Sequence, residues 1–116
     1  MTGAPARIDP DQWLQHFQNL AAASMTWFDF LTVIDRGASL DVVARVVNIE
    51  SGESALVVTN VTQEVNSLTG IYPGASWYER EAQEMFGVTF IGLKDPRPLL
   101  HRESAHKTPM RKSVTL

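Results

Sequence analysis

The sequence contains no cysteine, which excludes a disulfide framework, a thiolate zinc site and a cysteine-ligated iron–sulfur cluster within this chain. No apolar run approaches the roughly 20 residues that span a bilayer, so we expect no direct membrane span. Residues 1–10 lack the basic-then-apolar pattern of a signal peptide, which favours a cytoplasmic chain. The net charge of −3 gives no basic footprint for nucleic acid.

The composition is that of one soluble globular domain. The 116 residues are 44% hydrophobic and 20% charged, and a chain of this length is too short for a second core. It shows no nucleotide-binding glycine loop, no Ser/His/Asp order and no internal repeat. These features predict a domain that carries no cofactor of its own.

The most distinctive segment predicts a short helix between Pro73 and Gly87. Pro73-Gly74 is a turn signal. Ser76 and Glu79 have the spacing of a capping box at a helix start, and Gly87 is placed to end the helix. A helix this short is marginal in water unless a tertiary surface holds it.

Charged and aromatic side chains crowd this predicted helix. Arg80 and Glu84 are four residues apart and are expected to pair on one face, and Glu81 or Asp29 is a further candidate partner for the arginine. Trp77 shares a face with Glu81 and Glu84. A charge beside apolar surface needs a partner, so we expect these groups to be committed to pairing within the fold or with another protein.

Hydrophobic periodicity predicts the elements that precede this segment. Residues 1–8 form a loose arm, and a helix follows that is capped by Asp9 and buries Trp13 and Phe17. Three strands then form an antiparallel meander, because their connections are too short for parallel crossovers. The strands are expected at residues 25–35, 40–49 and 54–61.

The first of these strands, 25–35, is apolar on both faces, which predicts a central strand or one that a partner covers. A second short helix is expected to begin at Asn60 or Thr62 and to run to residue 71, and an edge strand is expected over 88–93. The predicted fold class is α+β, with a mainly antiparallel sheet of three to four strands, an N-terminal helix and two short helices. The predicted domain covers 1–95, and 96–116 form an extended, partner-binding tail.

A family signature lies in the predicted helix and tail. Its residues are Trp77-x-Glu79-Arg80-Glu81-x-x-Glu84-Met85-Phe86-Gly87, then Arg97-x-Leu99 and Pro109-Met110-Arg111-Lys112. This pattern resembles the C subunit, also called the 30 kDa subunit, of respiratory NADH:quinone oxidoreductase (complex I). It is similar to the corresponding module of energy-converting hydrogenases and formate hydrogenlyases. The strand Phe28–Asp35 also looks like the first strand of that family.

The resemblance implies a non-catalytic structural or assembly subunit of a membrane-associated electron-transfer complex. The chain would dock on the large (D) subunit or its hydrogenase counterpart, near the quinone or nickel–iron site and beside other peripheral-arm subunits. Flavin, iron–sulfur, nickel–iron and quinone chemistry would belong to those partners, on the cytoplasmic face of the inner membrane. The implied partner-binding and structural residues are Trp77, Glu79, Arg80, Glu81, Glu84, Phe86, Gly87, Arg97, Leu99, Pro109, Arg111 and Lys112.

Two alternatives stay open at this point. Glu79, Glu81 and Glu84 could serve a small metal-dependent enzyme, because carboxylates on one helix can bind a metal or act as acid and base. Known helical dicarboxylate sites add a histidine at that spacing and a matching second helix, which this sequence lacks. The resemblance also leaves open whether the parent complex is a quinone reductase or a hydrogenase.

Overall fold

The computed structural model describes residues 5–93, which form an α+β fold. A short 3-10 helix, Pro10–Gln12, leads into the first α-helix. Asp9 precedes it as predicted, but its side chain makes no capping hydrogen bond. The elements in chain order are β1 (Ala6–Ile8), α1 (Trp13–Ala22), β2 (Trp27–Asp35), β3 (Leu40–Val47), β4 (Ser54–Val61), β5 (Glu64–Asn66), α2 (Ala75–Phe86) and β6 (Thr89–Ile91).

The main sheet has four strands in the order β1-β4-β3-β2. The predicted meander is confirmed, since β2, β3 and β4 pair antiparallel in chain order. Its tight connections use glycines in left-handed conformations, Gly37 at φ 93° and Gly52 at φ 79°, which residues with a Cβ rarely adopt. Because β2, β3 and β4 pair in chain order, β2 lies at the edge of the sheet. Its two apolar faces had suggested a central position.

The hydrophobic core lies between one face of this sheet and the two helices. The meander contributes its inward-facing side chains at alternate positions, which is the period of a strand. Trp13 and Phe17 of α1 are fully buried, as predicted, and their rings meet edge to face at 4.8 Å between centroids. The buried strand residues of this core are Leu31, Val33, Leu40, Val42, Ala44, Val46, Val57 and Val61.

Part of the predicted loose arm is a strand. β1 joins the sheet parallel to β4, and the Thr59 hydroxyl donates a hydrogen bond to the Ile8 carbonyl. On the outer sheet face Arg7, Arg36 and Asn60 all donate to the buried Asp41 carboxylate, at 3.3, 2.9 and 2.9 Å. Burial by itself would raise the pKa of Asp41, but these three donors bring it below its usual value.

The predicted helix over 62–71 is wrong. Glu64–Asn66 is the strand β5, which pairs parallel with β6 as a second, two-stranded sheet. The apolar residues Val65 and Leu68 are buried, but at this spacing a strand followed by a turn buries them as well as a helix would. The N–H of Ser67 donates to the Ile91 carbonyl at 2.8 Å, so tertiary partners replace helical hydrogen bonds here.

Candidate partner-docking surface

The helix α2 carries most of the predicted site residues, and it starts without the predicted capping box. Gly74 is its N-cap, and no side chain caps it. Glu79 points inward instead of reaching back to Ser76. The end is as predicted, since Gly87 adopts the left-handed conformation at φ 74° and its N–H donates to the Gln83 carbonyl at 3.0 Å.

Glu79 is fully buried and ties α2 to the turn that follows β5. Its Oε2 accepts a hydrogen bond from the Leu68 N–H at 2.7 Å, and its Oε1 accepts one from the Ser67 hydroxyl at 2.6 Å. The Ser67 hydroxyl also lies 2.7 Å from the Thr69 hydroxyl and accepts from the Thr69 N–H. The sequence left open whether Glu79 caps the helix, pairs within the fold or contacts another protein, and it gave no indication that Ser67 and Leu68 are the partners.

Burial raises the pKa of Glu79 to about 7, although the two hydrogen bonds to its charged form offset part of that rise. The folded chain therefore holds the Glu79 proton more tightly than the unfolded chain, whose carboxyl titrates near 4.5. The role of this carboxyl group is structural, because both of its oxygens accept hydrogen bonds from the adjoining turn.

We predict that folding stability declines as the pH rises from about 4.5 to about 7. The advantage of the protonated folded state is complete below the unfolded pKa and is lost through the folded pKa. Across this window the expected loss from Glu79 is on the order of 3 kcal/mol. Urea denaturation at a series of pH values measures it, with Glu79→Gln as the control that removes the titration. An equal decline in the glutamine variant would assign the effect to other groups.

The outward side of α2 exposes an aromatic and acidic stripe. Trp77 is 57% exposed, and Glu81, four residues later on the same side, is also exposed, whereas Arg80 and Glu84 are half-buried. The pairing of Arg80 with Glu84 stays a prediction. Asp29, another candidate partner of Arg80, is bound by the Arg45 guanidinium. Tryptophan is enriched among the residues that dominate the binding energy of interfaces, so Trp77 is a candidate contact residue.

A groove separates α2 from the neighbouring strand β2 and has a volume of about 350 Å³. Phe86 of the predicted set forms part of its wall. Glu81 is the acidic residue among those that line it. The lining residues are Leu31, Thr32 and Val33 of β2 and Tyr78, Glu81, Ala82, Met85 and Phe86 of α2. No sequence pattern indicated this groove, because it depends on which strand α2 packs against.

The metal-enzyme alternative gains no support from the geometry. Glu79 is sealed in the interior against Ser67 and Leu68, whereas Glu81 faces the groove at the surface. Within residues 5–93, no group of three or more His, Asp or Glu side chains is placed to hold a metal ion. Of the predicted partner-binding residues, Arg97, Leu99, Pro109, Arg111 and Lys112 lie outside the described residues.

A known family matches almost the whole of this chain. The family described as "Respiratory-chain NADH dehydrogenase, 30 Kd subunit" is matched over residues 6–116. The chain belongs to this family. Membership confirms the resemblance that was carried by the segment from Trp77 to Gly87.

Members of the 30 kDa subunit family include several similar bacterial proteins that are named as the C subunit of NADH-quinone oxidoreductase. The one from Phenylobacterium zucineum is 38% identical over 84 residues, which are 71% of this chain and 40% of that protein. The one from Jannaschia sp. is 34% identical over 87 residues, 71% of this chain and 42% of that protein. The chain thus spans less than half the length of these curated relatives.

Two solved structures share the fold of this family member. A chain of the membrane-bound sulfane sulfur reductase, an archaeal respiratory membrane complex, superposes with a TM-score of 0.81 at 22% identity, covering 95% of this chain and 70% of that chain. The trypsin-resistant fragment of Nqo5 gives 0.64 at 17% identity, covering 77% and 79%. Neither helix in the described range, 5–93, is long and apolar enough to cross a membrane.

Proposed function

We propose that this chain is a non-catalytic structural and assembly subunit of a membrane-associated respiratory complex. The family match over residues 6–116 carries the proposal. In this role the chain docks on the large (D) subunit or its hydrogenase-like counterpart, near the quinone or nickel–iron site. Flavin, iron–sulfur and quinone chemistry belongs to the partner subunits, and the chain itself lies peripherally on the cytoplasmic face of the membrane.

The geometry of α2 supports a docking role over a catalytic one. Its buried acid, Glu79, is used in holding the helix to the fold, while its outer side presents Trp77 and Glu81. Catalysis needs several chemical groups that converge on one point, and these acids face different surroundings. Large aromatic side chains at the centre of an interface commonly dominate its binding energy.

The relatives favour a quinone reductase as the parent complex. Similar proteins at 34 to 42% identity carry the name of an NADH-quinone oxidoreductase subunit, whereas the sulfane sulfur reductase chain is 22% identical and supports the fold. Purification of the tagged chain with its native partners, followed by identification of the co-purifying subunits, distinguishes the two. The isolated chain should carry neither bound metal nor a visible chromophore, whereas stoichiometric metal would favour the enzyme alternative.

We predict that Trp77→Ala weakens assembly of the tagged chain into its complex by about thirtyfold, the effect of a hot spot worth ~2 kcal/mol. The isolated variant should fold normally because Trp77 is mostly exposed. Ile49→Ala is the control, since that large apolar side chain is 66% exposed and lies in the connection between β3 and β4, away from both α2 and β2. Quantitative co-purification measures both. An equal loss from the two variants would contradict α2 as the principal docking face.

A further inference from the structure

β2 is a long edge strand whose middle stretch lacks the usual protection against pairing. Nine residues run along the end of the sheet, and within the described residues 5–93 their second edge has no paired strand. Edge strands are commonly protected by short length, lysine, proline, other charged side chains or a bulge. The charged residues of β2, Asp29 and Asp35, flank the stretch Phe30–Ile34 and do not interrupt it. The one bulge of β2 lies between Phe28 and Phe30, so the stretch Phe30–Ile34 keeps regular strand geometry.

The groove beside α2 follows this regular stretch. Leu31 and Val33 face the core side of the sheet and Thr32 faces the other side, yet all three line the groove. The groove therefore reaches the backbone edge of β2. Five residues of strand span about 17 Å, and the 12 residues of α2 span about 18 Å. The free stretch of β2 and the helix beside it are thus similar in length, and a strand of about five residues would fit along both.

We propose that an extended segment of a neighbouring subunit adds to the free edge of β2 as a fifth strand. Main-chain hydrogen bonds to Phe30–Ile34 would supply affinity, and apolar side chains at alternate positions would enter the groove beside Met85. A lysine or arginine of that segment would meet Glu81 at the groove. This inference rests on the proposed function and specifies how one partner is held.

Charge and sequence favour a partner strand over two other occupants. A second copy of this chain would bring another Glu81 to the same groove, and like charges oppose such pairing. The chain's own residues 94–116 are cationic, but Pro96 and Pro98 lack N–H donors for a ladder. The longest run without proline in that segment, 99–108, has no alternation of apolar and polar residues.

Amide hydrogen exchange on the purified complex tests this inference. Backbone N–H groups that β2 directs away from β3 should exchange at least about tenfold more slowly in the complex than in the isolated full-length chain. A complex that contains the respiratory subunits but leaves these amides unprotected would overturn the strand addition and leave the proposed function intact. Failure to recover any respiratory subunit would overturn both.

Hydrogen exchange of the isolated chain at several protein concentrations distinguishes the two other possible occupants of the β2 edge, a second copy and the chain's own residues 94–116. Protection of the β2 amides that grows with protein concentration would indicate a second copy and overturn the proposal. Protection that is already complete at every concentration would indicate the chain's own residues 94–116 and would also overturn it. Fast exchange in the isolated chain and slow exchange in the complex is the supporting result.

A substitution at the edge supplies an independent readout. Thr32→Lys places a cation at the groove, where it should repel a cationic strand and block pairing, so recovery of the chain in its complex should fall by about tenfold. The melting temperature of the isolated variant should not change, because Thr32 is exposed. Thr89→Lys, on the exposed side of β6, is the matched control and should assemble normally. Equal recovery of both variants would overturn the proposal.

Discussion

Replacement of Glu79 by alanine should lower the free energy of unfolding by about 3 kcal/mol. The substitution leaves the Leu68 N–H without its acceptor, and a buried donor without an acceptor costs about 1–3 kcal/mol. The Ser67 hydroxyl also loses its bond to Glu79, although the Thr69 hydroxyl can still accept from it. The substitution also leaves a cavity between α2 and the turn after β5, which adds to the loss. The alanine variant no longer has a carboxyl group to bury, and this gain offsets only part of the loss in stability. Urea unfolding at pH 6 measures the change.

Two variants of α2 make this expectation specific. In Glu79→Gln, the amide oxygen can accept from the Leu68 N–H and the amide nitrogen can donate to the Ser67 hydroxyl, so the loss should stay below about 1 kcal/mol. Glu81→Ala, on the exposed side of the same helix, should lie within about 0.5 kcal/mol of the parent. If Glu79→Ala unfolded at the same urea concentration as Glu81→Ala, the buried network would not be a main support of α2.

The sequence rules worked where structure is decided locally. Gly87 ends α2 in a left-handed conformation, and Gly37 and Gly52 occupy the turns of the meander, because each of these backbone states excludes most other residues. Trp13 and Phe17 lie on the buried face of α1, because helical spacing fixes which side chains share a face.

The same rules failed where a distant partner decides the outcome. The spacing of Ser76 and Glu79 fits a capping box, but a carboxylate has the same reach towards the Leu68 N–H, and only the folded chain brings that group near. The two apolar faces of β2 suggested a central strand, although the predicted meander places its first strand at an edge. The structure gives the edge position, and within the described residues the second edge of β2 has no paired strand.

Charge is divided unevenly between the described fold and the C-terminal segment, residues 94–116. That segment holds six of the ten Lys and Arg and two of the thirteen Asp and Glu. It therefore carries a charge of +4, and the rest of the chain carries −7. A cationic segment that also contains Leu99, Leu100 and Met110 suits an acidic partner surface with apolar pockets. We therefore expect the tail, residues 96–116, to act as a clasp that holds the chain to its partner.

Truncation after Asp95 should abolish co-purification of the chain with the large partner subunit proposed above, while the remaining domain still unfolds cooperatively. Residues 5–93 contain α1, α2, the sheet and the core that these elements form together, so the free energy of unfolding of the truncated domain should change little. We expect Arg97, Arg111 and Lys112 to make charge-assisted contacts with the partner, where arginine favours carboxylate forks, so assembly of the truncated chain should fail. The readout is the stoichiometry of subunits recovered with the tagged chain.

Two triple variants separate specific contacts from net charge. Alanine at Arg97, Arg111 and Lys112 should reproduce most of the loss, whereas alanine at the other three cations of the segment, Lys94, Arg102 and Lys107, makes the same charge change and should assemble. Equal defects would mean that screened, long-range attraction holds the segment, and both would then respond alike to added salt. Full assembly of the truncated chain would contradict the clasp. The exposed side of α2 and the edge of β2 would then have to hold the partner without the tail.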